Sequence, residues 1–93
     1  MYATYVLRTM NPATRASTLE RAAEEFWPKL QEAPGFQHFF LVQQADDQTL
    51  GIILWESEEA AHAFMPVLDN WQMTMDSLGH RRIAQGLGAV LEM

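Results

Sequence analysis

Phe36-Gln-His-Phe-Phe-Leu-Val-Gln-Gln44, the polar run Ala45-Asp-Asp-Gln-Thr49 and Leu50-Gly-Ile-Ile-Leu-Trp-Glu56 read together as two strands joined by a turn. Side chains alternate between the faces of a strand, so each run can be sorted by parity. In the first, Phe36, Phe40 and Val42 share one direction while Phe39 and Leu41 share the other. In the second, Ile52 and Leu54 alternate with Ile53 and Trp55. Both faces of this hairpin are therefore apolar. A sheet covered by helices on one side should present polar residues on the other.

Working outward, Tyr2 to Thr9 is aromatic and β-branched and reads as another strand, with Val6 alternating with Tyr5 and Leu7. Asn11-Pro12 supplies a helix start, because Asn can cap free amides and Pro tolerates the first helical position. Leu19, Ala22, Ala23, Phe26 and Leu30 then fall on one helical face. Pro28 removes the bond back to Glu24 and predicts a kink near Trp27, and Ala33-Pro34-Gly35 stops the helix. After the hairpin, Ser57-Glu-Glu59 is a helix N-terminus, with a capping hydroxyl and two dipole-matched carboxylates. Ala61, Phe64, Met65 and Leu68 form its apolar face. Pro66 is expected to divide it, and Trp71, Met75 and Leu78 turn inward from a second piece. Gly79 with His80-Arg-Arg82 marks the helix end, and a last strand is expected within Gln85 to Met93.

The order β-α-β-β-α-β defines an α+β, ferredoxin-like antiparallel sheet with both helices on one face. Ninety-three residues make a single domain, 1–93, whose small core leaves a thin stability margin. There is no cysteine, so no disulfide can compensate. Association of subunits is the remaining common remedy. Covering the uncovered sheet face, on the order of 500 Å² per subunit, would yield a gross ~12 kcal/mol per subunit at ~25 cal/mol/Å². The expected assembly is a homodimer through that face. The alternative is a bulge in the second strand that restores a polar face.

Charge excludes other partners. Twelve acidic against six basic residues give a net −6, which opposes binding to nucleic acid and to anionic membranes. No apolar run approaches a membrane span, and the N-terminus lacks the features of a leader, so a cytoplasmic location is expected. The histidines show no metal-site spacing, and there is no phosphate loop, nucleophile elbow or thiol nucleophile.

Pro34-Gly35-Phe36, the hairpin, and Leu54-Trp-Glu-Ser-Glu-Glu-Ala60 resemble the antibiotic biosynthesis monooxygenase family of the dimeric α/β barrel superfamily. The resemblance spans nearly the whole chain in element order. It implies two sheets facing across a dimer, with a pocket between sheet and helices in each subunit. It also implies a monooxygenase without a protein-bound cofactor, acting on a small aromatic phenol or quinol. In polyketide-tailoring members a strand Asn lies four residues before a Trp. Trp55 matches that Trp, and Gly51 stands at the Asn position. The Asn, Trp and His of haem-degrading members have no counterpart, Phe64 and Thr74 occupying two of those positions.

His38, Trp55 and Tyr5 are the candidates for chemistry. His38, among phenylalanines, suits a neutral general base if it faces the pocket, and a bulge after Gly35 would turn it to the opposite face. Trp55 either stacks on a flat substrate or fills the core. Tyr5 and Arg8 point to opposite faces of their strand, and either can supply the polar group of a pocket. Trp27, Phe64, Trp71 and Met75 are expected to line the gap between sheet and helices, with Gly51 leaving room for a ligand. Such a lining suits a small apolar aromatic molecule. The competing function is a non-catalytic ligand-binding or partner-subunit module of the same fold.

Overall fold

A computed structural model describes residues 1–93, and the Pro and Gly punctuation of the chain sets its element boundaries. They are β1 (Tyr2–Thr9), α1 (Arg15–Glu25), α2 (Trp27–Glu32), β2 (Phe36–Ala45), β3 (Gln48–Trp55), α3 (Glu58–Ser77) and β4 (Arg82–Ala89). The strands form one antiparallel sheet in the order β2-β3-β1-β4, with the helices on one face. This is the expected ferredoxin-like arrangement.

Several local expectations are corrected. Asn11 does not cap α1: its Oδ1 accepts from Ala13 N–H at 2.9 Å, closing a turn ahead of a helix that begins at Arg15. Pro28 does interrupt the helix, and α2 restarts at Trp27 with the proline in its first turn, where a missing N–H costs nothing. The hairpin is tighter than the five-residue turn, because β3 begins at Gln48. Pro66 does not divide α3, which runs unbroken for 20 residues. The carbonyl deprived of its donor belongs to the exposed His62, where water can satisfy it. The last strand is Arg82–Ala89, earlier than Gln85–Met93, since pairing with β1 carries it back to the end of α3.

Two glycines have backbone reasons. Gly35 has φ +81°, and a Cβ there would lie 2.6 Å from that of Ala60, so glycine lets the α2–β2 turn meet α3. Gly79 has φ +89° and ends α3 in a Schellman turn, with Gly79 N–H donating to Asp76 O at 3.0 Å and His80 N–H to Met75 O at 3.1 Å. The turn delivers His80 into the interior, where it is 1% exposed. Leu78, expected inward, is exposed instead.

The pairing shifts between Phe36 and His38, so β2 has a bulge at its start. Phe36 consequently opposes Trp55 on the helix side, with Phe39 and Leu41, while His38, Phe40 and Val42 take the outer side. The bulge does not restore a polar face. Tyr5, Leu7, Leu50, Ile52 and Leu54 complete the outer side, and Phe40 and Tyr5 are 49% and 43% exposed. On the helix side Phe26, Leu30, Ile53, Trp55, Ala61, Phe64 and Leu68 form the core. Each of the leucine, isoleucine and phenylalanine side chains among them, fully buried, contributes about 1.5–3 kcal/mol.

Candidate functional site

Helix α1 packs mainly against α2, and the space left between these helices, α3 and the sheet is a cavity of about 310 Å³. That lies at the small end of the range for small-molecule pockets, about 300–1,000 Å³. Small residues create it: Ala22 and Ala23 on α1 and Gly51 on β3 all border the space. Its mouth is lined by the partly exposed Leu19, Trp27 and Leu41. Further in, Phe26 and Trp71 stack with centroids 5.4 Å apart and planes at 19°, giving a flat aromatic wall. Phe39 stands edge-on to Phe26 at 6.2 Å.

The inner end is polar. Thr4, Val6 and Arg8 share the helix-facing phase of β1, and Arg8 is paired with Thr49 of β3. Arg8, Thr18, Thr49 and Gln72 border the cavity and are each at most 5% exposed. Arg8 Nη1 donates to Asp76 Oδ1 at 3.1 Å and to the His80 carbonyl, and Nη2 donates to Gln72 Oε1. Asp76 also accepts from Arg82 at 2.8 Å. His80 Nε2 is hydrogen-bonded to Thr18 Oγ1 at 2.9 Å, tying α1 to the end of α3.

Burial lowers the Arg8 pKa, opposed by the hydrogen bond and charge of Asp76. The Asp76 carboxyl is held below the ordinary carboxylate value, first by the Arg8 hydrogen bond and then, against its own desolvation, by Arg82. His80 is held below its ordinary 6.5 by burial and, secondarily, by the Arg8 charge. Arg8 is the one charged residue in the cavity wall, and the wall has no carboxylate and no histidine.

Trp27, Trp71, Met75 and Gly51 border the cavity. Phe64 does not: it is 5% exposed, packed at 5.1 Å against Trp55 within the core. Trp55 has no exposed surface, and its Nε1–H donates to Thr4 Oγ1 at 3.2 Å. It faces the helices, but Phe36 and Phe64 seal its ring from the cavity. His38 and Tyr5 both project from the outer face of the sheet. His38 stacks on Phe40 at 5.8 Å, and the Tyr5 ring lies over Gly86, where a Cβ would meet its hydroxyl at 2.8 Å. The structure thus separates His38 and Trp55 from the cavity, while Tyr5 borders it from β1 and carries its ring to Gly86. It brings together Arg8, Thr18, Thr49 and Gln72, of which sequence reasoning singled out only Arg8. Gln72 had a signal, since it is the lone polar residue on the buried stripe Leu68–Gln72–Met75.

No group of three or more His, Cys, Asp or Glu side chains is placed to hold a metal ion. No helix is long and apolar enough to cross a membrane.

This chain has the same fold as solved structures described as putative antibiotic biosynthesis monooxygenases. The chain is similar to a monooxygenase from ActVA-Orf6 of Streptomyces coelicolor, solved in complex with nanaomycin D. Identity is 21% and TM-score 0.71, over 99% of this chain and 92% of that one. It is also similar to SnoaB, a cofactor-independent oxygenase from Streptomyces nogalater, at 19% identity and TM-score 0.66, over 99% and 95%. A dimeric ferredoxin-like protein from an uncultured marine organism matches at 10% identity and TM-score 0.71, over 100% and 97%. No family model and no curated protein matches the chain.

Proposed function

We propose that the chain is a homodimeric, cofactor-independent monooxygenase acting on a small aromatic phenol or quinol bound in the sheet–helix cavity. The observation that carries this reading is the cavity itself, with flat aromatic walls, a mouth at Leu19, Trp27 and Leu41, and one buried cation at its inner end. The oxygenase likenesses support it through the fold. The apolar outer face, with Phe40, Val42 and Tyr5 exposed, supports the dimer.

For an anthrone-type substrate, proton loss gives a phenolate-like anion that Arg8 stabilises. The electron-rich ring then reduces O₂ directly. A ring CH₂ and O₂ become a ring C=O and water, so no external reductant is needed. The walls exclude water from the anion, which strengthens its interaction with Arg8. No carboxylate or histidine borders the cavity, so the proton leaves to solvent through the mouth. The same lack of a base favours a second reading, a module that binds the aromatic molecule without turning it over.

Oxygen uptake with anthrone and a naphthohydroquinone separates them. Turnover above the rate in buffer is expected, falling at least about tenfold in Gly51→Val, whose added methyls enter the cavity. Saturable binding without uptake would select the binding module. An unchanged rate in a folded Gly51→Val would remove the cavity as the site.

A further inference from the structure

We propose that the inner end of the cavity is an oxyanion site, so that its ligands are flat apolar molecules carrying one ionised oxygen (a phenolate, enolate or carboxylate). This deepens the cavity reading and rests on it. The chain as a whole is acidic, at net −6, yet the only formal charge in the cavity wall is positive. That charge is not fully compensated. Arg8 and Arg82 share one carboxylate, Asp76, so the cluster keeps an excess of one positive charge. Asp76 sits behind Arg8 and is partly exposed, at 37%, while Arg8 is 5% exposed and borders the cavity.

Donors remain for a ligand. The Arg8 contacts within the chain use Nη1 and Nη2 only, toward Asp76, His80 and Gln72, and leave Nε–H without an acceptor. Directly across the β1–β3 ladder lies Thr49, 5% exposed, in the cavity wall, its hydroxyl making no hydrogen bond to the chain. A guanidinium N–H and a hydroxyl on one end wall, in a space otherwise lined by hydrocarbon and aromatic rings, fit one anionic oxygen. They do not fit a cation, and no carboxylate is present to receive one. The Phe26–Trp71 stack and Phe39 provide the surface for the flat body of the ligand.

The test compares 2-naphthoate with 2-naphthamide, its neutral near-isostere, by calorimetry and by the fluorescence of Trp27 and Trp71 at pH 7.5, where the carboxylate is ionised. The expected preference for naphthoate is at least about tenfold, the scale of a charged hydrogen bond. It should collapse in Arg8→Met. Because Arg8 also braces α3, a second variant that leaves it in place is measured as well. Asp76→Asn removes the competing carboxylate and should raise the preference severalfold. Equal affinities for both probes in the unmodified protein, or a preference that does not rise in Asp76→Asn, would overturn the oxyanion site while leaving the cavity reading intact. Binding of neither probe would overturn both.

Discussion

Placing a lysine at Ile52 should split the proposed dimer. Ile52 lies at the middle of the outer face, paired with Tyr5 on one side and Phe40 on the other. In an isologous interface each residue is used twice, so one substitution places two ammonium groups in the contact. Each copy loses about 2 kcal/mol of isoleucine burial and adds several kcal/mol for an ammonium taken from water without a partner. The total is at least about 8 kcal/mol per dimer, more than five powers of ten in Kd. The core cluster lies entirely on the other side of the sheet, so the monomer should keep its far-UV circular dichroism. Sedimentation velocity at micromolar concentration should show the unmodified chain as a dimer and Ile52→Lys as a folded monomer. Met73→Lys, on the exposed side of α3, should stay dimeric and serves as the control. A monomeric unmodified chain, or an Ile52→Lys variant that sediments as a dimer, would refute the argument from two apolar faces.

Two further outcomes follow from the buried polar groups. Trp55→Phe leaves the Thr4 hydroxyl unpaired beside a small void, and should cost about 1–3 kcal/mol in denaturant melts. Ligand affinity should not change, because Trp55 does not border the cavity. His80 has a pKa below its ordinary 6.5 in the folded state, so the unfolded chain binds its proton more readily. Its contribution is therefore complete above about 6.5 and is lost as pH falls from there toward the folded-state value. The stability difference between the unmodified protein and His80→Asn should shrink between pH 7.5 and 5, and a difference that grows on acidification would contradict this.

Much of the fold was legible because short-range chemistry decides it. Pro28, Pro34-Gly35 and Gly79 end helices wherever they occur, and alternation along β1 and β3 shows which residues share a face. The two apolar faces follow from that alternation alone, as does the placement of Trp27, Trp71, Met75 and Gly51 toward the gap under the helices. The polar residues needed more. One bulge at Phe36–His38 moves His38 to the outer face, and a bulge is set by how β2 docks on β3 and by Phe36 closing over Trp55. Pro66 looked like a break, and only its position above an exposed carbonyl explains why α3 continues. Trp55 faces the helices as its parity requires, but packing of Phe36 and Phe64 decides that it is sealed. The proposed oxyanion site depends on residues 8 and 49, with 72, 76 and 80 holding Arg8 in place, which meet only when β1, β3 and α3 converge. Local sequence specifies which segment bends and which face is greasy. Long-range packing alone brings a strand arginine, a strand threonine and a helix glutamine to one end of a cavity.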